Sequence, residues 1–123
     1  MNKSPFEGLH FARREFACKC GCGFDAVDIE LLGVLEQLRQ DLGNRPVSIT
    51  SACRCEPHNR KVGGARHSVH KQGKAADIRV KGLLPAQVAD YLERTYPDRY
   101  GIGRYATFTH IDVRPAPARW GKN

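Results

Sequence analysis

Residues 68–80 have the sequence SVHKQGKAADIRV, and the second half of this segment has the alternation of a β-strand. In a strand, successive side chains point to opposite faces. Ile78 and Val80 therefore share one face, and Asp77 lies on the other. The pattern predicts a strand from Ala75 to Val80 that buries an aliphatic face in the core and directs a carboxylate to the opposite side.

A second strand with the same character is predicted near the C-terminus, at residues 107–114. Its aliphatic residues fall on one face, whereas His110 and Asp112 fall on the other. If both aliphatic faces pack into one core, Asp77, His110 and Asp112 lie together on the opposite face of the sheet.

The rest of the chain predicts two helices and two further strands. Leucines recur at helical spacing in the first helix, with Asp25 as its N-cap and Gly43 just past its end. The elements are a helix at 25–42, a strand at 47–50, a helix at 85–95 and a strand at 101–105 that forms a hairpin with 107–114. This order predicts an α+β fold, and 123 residues suit one domain spanning 1–123.

Between the first two strands, residues 51–74 show neither strand nor helix periodicity. Gly, Ser, His and basic residues dominate, so the segment is predicted to be a loop. Loops of this length are usually functional or disordered. This one contains His58, His67 and His70.

Three protein ligands with nitrogen or oxygen donors, plus one open position, are typical of catalytic zinc. His70, Asp77 and His110 are the best trio, because two are close in sequence and the third comes from a distant strand. Spacing alone leaves another interpretation open, in which these residues are a solvated loop histidine, a surface carboxylate and a packed strand histidine.

The residues around this trio resemble a known family. Ser68, His70, Gly73, Ala75 and Asp77 meet every specified position of S-x-H-x-x-G-x-A-x-D, the metal motif of the zinc D-alanyl-D-alanine peptidase family. Residues 16–22, 51–59, 62–65, 110–114 and 119–120 also resemble that family, in its small single-domain branch. The family shares its fold with the hedgehog signalling domain. The resemblance implies a small antiparallel sheet, helices packed on one face and a zinc cleft on the other.

The resemblance also implies roles for individual residues. His70, Asp77 and His110 would bind one zinc ion. Arg54 lies where the family has an arginine that polarises the substrate carbonyl or holds the substrate carboxylate, and a planar guanidinium suits either role. Ser68 would bind substrate near the metal or shape the turn.

The general base departs from the family pattern. Many relatives have an acid three residues before the final histidine ligand, where this chain has Thr107. Asp112 is the nearest carboxylate on the predicted face, so we expect it to be the base or to orient His110 as a hydrogen-bond acceptor. His67 is the second candidate for the base.

Composition narrows the classes of partner. Twenty Lys and Arg against 13 Asp and Glu leave a net charge of +7, which favours polyanions such as an anionic cell wall. No apolar run is long enough to span a membrane, and the N-terminus lacks the apolar region of a secretory signal. We therefore expect synthesis in the cytoplasm and action on the wall after release or export, as for a phage-type lysis protein.

Five cysteines exclude a complete set of internal disulfides. Cys18, Cys20 and Cys22 alternate, and Cys53 and Cys55 repeat that spacing. A C-x-C pair wraps a metal less readily than C-x-x-C. The spacing favours reduced, buried or half-buried thiols and leaves a structural zinc cluster as the alternative.

The resemblance, together with these features, implies a zinc metallopeptidase that hydrolyses a peptide bond involving D-amino acids in bacterial peptidoglycan, as a carboxypeptidase or an endopeptidase. We expect a monomer that acts on a stem peptide or cross-link, with no nucleic-acid or membrane partner. The alternative is a zinc-stabilised wall-binding or signalling-type module without peptidase activity. Nucleic-acid binding through a zinc finger is disfavoured, because the chain lacks the usual finger spacing and a basic stripe.

Overall fold

The computed structural model describes residues 9–23, 25, 27–52, 54–63 and 69–121. Its helices are α1 (Ile29–Asp41), α2 (Glu56–Lys61) and α3 (Pro85–Thr95), with 3-10 turns at Arg13–Phe16 and Val69–Gln72. Its strands are β1 (Val47–Ser51), β2 (Ala75–Val80), β3 (Gly101–Arg104), β4 (Thr109–Asp112) and β5 (Ala118–Gly121). The predicted α+β class is confirmed.

The five strands form one mixed sheet in the order β1-β2-β4-β3-β5. The first three pairings along this order are antiparallel, including the predicted β3–β4 hairpin, but β5 pairs with β3 in parallel. The prediction of a small antiparallel sheet is therefore corrected at this one pairing. It missed β5 because this strand has only four residues and no aliphatic alternation in its sequence, Ala-Arg-Trp-Gly.

Helix α1 begins at Ile29 rather than at the predicted Asp25. The side chain of Asp28 accepts a hydrogen bond from the Glu30 backbone N–H at 2.8 Å, so Asp28 is the N-cap. At the other end Gly43 has φ +84°, a left-handed conformation that glycine adopts without steric cost. The predicted position of Gly43 just past the helix is confirmed.

The predicted long loop between β1 and β2 contains helix α2 and the Val69–Gln72 turn. The prediction of a loop from 51 to 74 is corrected accordingly. A six-residue helix is too short to show a recognisable helical period, and Pro57 in its first turn is compatible with helix only there. Cys53 and residues 64–68 lie outside the described residues.

One cluster of buried apolar side chains joins α1 and α3 to the aliphatic face of the sheet. Ile78, Ile102 and Ile111 form its centre on β2, β3 and β4, and all three are fully buried. Leu35 of α1 and Leu92 of α3 pack into the same cluster. The helices thus cover the aliphatic face, and Asp77, His110 and Asp112 lie on the other face of the sheet. No helix in the described part of the chain has the length and apolar character needed to cross a bilayer.

Candidate metal centre

The strand register aligns four residues in a row across the polar face of the sheet. Asp77 of β2 pairs with His110 of β4, His110 pairs with Gly103 of β3, and Gly103 pairs with Trp120 of β5. The predicted location of Asp77 and His110 on one face follows directly from this register. His70 joins them from the Val69–Gln72 turn that precedes β2.

The donor atoms of His70, Asp77 and His110 lie within 4.8 Å of one another, and all three residues are buried. Asp77 Oδ1 is 3.3 Å from His70 Nε2 and 2.9 Å from His110 Nδ1. With zinc bonds of about 2.0–2.1 Å, tetrahedral geometry places the ligand atoms roughly 3.3–3.4 Å apart. The spacing and chemistry of this donor set therefore fit a zinc ion.

The ring of His70 is oriented by the backbone. Its Nδ1 lies 2.6 Å from the carbonyl oxygen of Ala52, the residue after β1. A carbonyl oxygen only accepts hydrogen bonds, so this contact requires a proton on Nδ1, and Nε2 is the ring nitrogen that faces Asp77. Metal-ligating histidines commonly have such a partner on their other ring nitrogen.

His110 has the equivalent arrangement with a carboxylate as its acceptor. Its Nε2 lies 2.7 Å from Asp112 Oδ2, and its Nδ1 faces Asp77. Burial would lower the pKa of His110, but the hydrogen bonds to Asp112 and Asp77 raise it above its ordinary value. The ring is thus held between two carboxylates, with Nδ1 available to a metal ion.

Both oxygens of Asp112 already accept strong hydrogen bonds. Arg114 donates from Nε to Oδ1 and from Nη2 to Oδ2, each at 2.8 Å, and the Gly101 backbone N–H donates to Oδ1 at 3.1 Å. Burial of Asp112 acts to raise its pKa, but the hydrogen bonds from His110 and Arg114 hold that pKa far below the ordinary value. A carboxylate in this state is a weak base. Of its two predicted roles, the geometry favours orienting His110.

We expect Asp112→Asn to lower metal affinity about 10- to 100-fold, the usual cost of losing such a partner. The asparagine is isosteric, but it lacks the charge that stabilises the His110 ring and its Nε2 proton. Competition with a chelator of known affinity measures the change. Arg114→Gln is the control, because the Asp112 contact with His110 remains, and its loss should be less than tenfold. Equal losses in both variants would contradict this role for Asp112.

Asp77 is an ionised ligand candidate. Burial acts to raise its pKa, but hydrogen bonds from His110 and His70 outweigh that effect and lower the pKa to about 2. The carboxylate is therefore charged at neutral pH, as metal coordination requires.

Arg54 lies beside the trio. Its Nη2 is 3.5 Å from Asp77 Oδ2, and its backbone N–H donates to the His70 carbonyl at 3.0 Å. Nε donates to Ser51 Oγ at 3.3 Å and Nη1 to Asn59 Oδ1 at 3.2 Å. These contacts fix the planar group while leaving further N–H donors on both terminal nitrogens.

The Trp120 ring packs against the His110 ring, with the two ring centroids 5.0 Å apart. The Arg114 guanidinium lies 5.0 Å from the centre of the Trp120 ring, and the indole N–H donates to the Tyr105 hydroxyl at 2.8 Å. Gly103 makes this packing possible, because a Cβ there would lie 2.6 Å from Trp120 Nε1.

Gly103→Ala is therefore expected to displace Trp120 from His110 towards solvent. Trp120 is the single tryptophan of the chain, so its fluorescence emission should shift to longer wavelength. Gly33→Ala on α1 is the matched control, because a Cβ at Gly33 meets no atom within 4 Å. Unchanged emission in Gly103→Ala would show that Trp120 does not need this space.

Three other residues are considered for the site from the sequence: Ser68, His67 and Thr107. Ser68 and His67 lie outside the described residues. Thr107 lies in the exposed turn between β3 and β4, where its carbonyl accepts a hydrogen bond from Arg79 Nε at 2.7 Å. The roles predicted for these residues stay predictions.

Sequence reasoning missed four contributors to the site: the Ala52 carbonyl, Asn59, Arg114 as the partner of Asp112, and Trp120 as the cover of His110. A backbone carbonyl has no sequence signal, and Asn59 is buried in a helix that the pattern did not reveal. Arg114 could have been found, because it follows Asp112 by two residues in an extended segment and so shares its face.

The cysteines form a second group. Cys18 is buried and Cys55 half-buried, as expected, but Cys20 and Cys22 are exposed, contrary to the prediction of buried or half-buried thiols. The sulfur atoms of Cys18, Cys20, Cys22 and Cys55 nevertheless all lie within 4.8 Å of one another. Cys53 lies outside the described residues.

An α+β fold with a buried set of two histidines and an aspartate defines a candidate metalloprotein. The family model described as Peptidase M15 matches residues 9–112, which include the whole trio, Arg54 and Asp112. The chain therefore belongs to the Peptidase M15 family, whose members are typically zinc-dependent. A comparison with curated proteins found no match.

Proposed function

We propose that this protein is a zinc metallopeptidase that hydrolyses a peptide bond involving D-amino acids in bacterial peptidoglycan. The observation that carries the proposal is the convergence of His70, Asp77 and His110, with an acceptor on the second nitrogen of each ring, in a Peptidase M15 chain. A histidine that is merely packed in a core does not need two neighbouring ligand atoms at metal-binding distances.

In this proposal His70 Nε2, Asp77 Oδ1 and His110 Nδ1 hold the zinc ion. When bound, zinc supplies an activated water nucleophile near neutral pH and a Lewis acid for the scissile carbonyl. The Ala52 carbonyl and Asp112 keep the two imidazole rings in the tautomers that present these nitrogens. Arg114 in turn holds Asp112 ionised.

Arg54 binds the reacting part of the substrate. Its side chain is 14% exposed and its guanidinium is held by Ser51, Asn59 and Asp77, so little reorganisation is needed when substrate arrives. Pre-oriented donors stabilise negative charge that develops on a carbonyl oxygen. The same planar group can instead pair with the terminal carboxylate of a stem peptide, which would favour carboxypeptidase action.

The proposed substrate is a peptidoglycan stem peptide or cross-link, and the net charge of +7 supports attraction to an anionic wall. The proposal includes a hedgehog-like fold with the zinc cleft on the polar face of the sheet, opposite α1 and α3. It also includes action as a monomer of the phage-lysis type, without a nucleic-acid or membrane partner.

Mass spectrometry of fragments released from purified peptidoglycan tests the function. Zinc-loaded protein is compared with His70→Ala and with a chelated sample. Loss of a terminal D-alanine identifies a carboxypeptidase, and a cut within the stem or cross-bridge identifies an endopeptidase, provided both controls abolish it. No release from several wall types, with the trio loaded, would overturn the peptidase proposal.

A second candidate is a zinc-stabilised wall-binding module. It is favoured by Thr107 in place of the family's acid and by the hydrogen bonds that occupy both oxygens of Asp112, which make this carboxylate a weak general base. Co-sedimentation with insoluble peptidoglycan, without released fragments, is the result expected for this module.

A further inference from the structure

Four cysteines converge at a place separate from the histidine-aspartate trio. Cys18, Cys20 and Cys22 follow the Arg13–Phe16 turn, and Cys55 immediately precedes α2. Their four Sγ atoms all lie within 4.8 Å of one another. Cys55 is 37 residues from Cys18 along the chain, so the cluster is a product of tertiary folding.

The distances between the sulfurs match one particular chemistry. Cys18 and Cys20 are 3.5 Å apart, Cys20 and Cys55 are 3.5 Å apart, and Cys18 and Cys55 are 3.7 Å apart. A disulfide requires about 2.05 Å between sulfurs. A tetrahedron with zinc–sulfur bonds of about 2.3 Å has edges of about 3.8 Å. The three measured distances lie close to that edge length.

Burial does not explain why these thiols gather. Cys20 and Cys22 are exposed, so the hydrophobic effect offers little reason for their sulfurs to approach Cys18 and Cys55. Two C-x-C pairs in series require a tight backbone path, and Gly21 supplies it with φ +83°. The Gly21 N–H also donates to the Cys18 carbonyl at 3.2 Å and closes a turn.

A backbone contact further supports a thiolate cluster. The Cys55 N–H donates to Cys18 Sγ at 3.4 Å, a contact that favours the charged form of the sulfur. Such contacts outside the ligand set orient and stabilise metal-bound sulfur.

We propose that Cys18, Cys20, Cys22 and Cys55 bind a second zinc ion in a closed, four-thiolate structural site. Four protein ligands leave no open position, so this ion has no catalytic role. This site differs from the trio in its ligands, which are all thiolates. It also differs in its role, which is to link the N-terminal segment to the start of α2.

The structure indicates what this attachment does for the protein. Cys55 directly follows Arg54, whose guanidinium contacts Asp77 and whose backbone N–H contacts the His70 carbonyl. A metal held at Cys55 thereby restrains the segment that presents Arg54. The cysteine site thus stabilises the position of the Arg54 segment beside the candidate metal centre.

Metal content tests the proposal without any activity assay. The full chain, purified under reducing conditions with zinc supplied, is analysed by native mass spectrometry and elemental analysis. We expect two zinc ions per chain in the wild type and one in His70→Ala. We also expect one in Cys20→Ser/Cys22→Ser, held there by the trio. Cys53→Ser is the matched control and should keep both ions, because the four described thiols already complete the ligand set.

Cobalt substitution identifies the ligands directly. The wild type and His70→Ala should both show an intense thiolate-to-cobalt charge-transfer band, and Cys20→Ser/Cys22→Ser should lack it. If the double variant does not fold, titration of wild-type protein with a thiol-specific mercurial decides the matter, since it should release one of two zinc equivalents. One zinc per chain with no charge-transfer band would overturn the cysteine site and leave the proposed peptidase untouched.

Discussion

His70→Ala is expected to lower the proposed peptidoglycan hydrolysis at least about a thousandfold and to abolish metal binding by the trio. A bound zinc contributes several kcal/mol of transition-state stabilisation, and each 1.36 kcal/mol is tenfold in rate. Among the described residues, His70 is one of the three candidate ligands of this site, so its loss leaves Asp77 and His110 with too few donors for a firm site. Fragment release and metal content are measured on the same preparation.

His58→Ala is the matched control for that variant. His58 lies on α2 outside the trio, and neither the sequence nor the structure assigns it a part in the site. We expect its activity and metal content to equal those of the wild type, with circular dichroism confirming that both variants fold. Full activity in His70→Ala would remove the trio from the mechanism.

Arg54→Lys is expected to lower kcat/KM about 10²- to 10³-fold, the usual cost of removing one donor to a developing oxyanion. Lysine keeps the charge but loses the planar fork, so it cannot contact Ser51, Asn59 and Asp77 together while still presenting donors to substrate. Metal content should be unchanged, because Arg54 is not a ligand candidate.

The kinetic form of the defect separates the two roles of Arg54. A loss confined to kcat indicates polarisation of the scissile carbonyl, whereas a rise in KM alone indicates binding of a substrate carboxylate. Arg99→Lys is the control, because Arg99 makes an exposed ion pair with Glu30, a kind of pair that contributes little. A change in kcat/KM of less than twofold in Arg54→Lys would contradict both roles.

Much of this site could be predicted from the sequence because strand geometry is local. Side chains alternate between the faces of a strand whatever its partner is, so the pattern at 75–80 already separated Asp77 from Ile78. The same rule placed His110 and Asp112 together on β4. Helix α3 was predicted at its observed bounds, since Pro85 suits the first turn and Pro97 cannot continue a helix.

Other features depend on contacts between distant segments. Strand β5 exists because β3 offers it a partner, and α2 is too short to have a signal of its own. The roles of Ala52 and Asp112 depend on which atoms face the histidine rings, which no spacing reveals.

The cysteines show the same division most clearly. Their alternation is visible in the sequence, but the approach of Cys55 to Cys18, Cys20 and Cys22 depends on how the N-terminal segment packs beside β1 and α2. Local patterns predict which face a residue occupies, because the backbone alone sets that direction. The meeting of donor atoms into a metal site is a property of the folded chain, because it requires segments far apart in sequence to be held within a few ångströms.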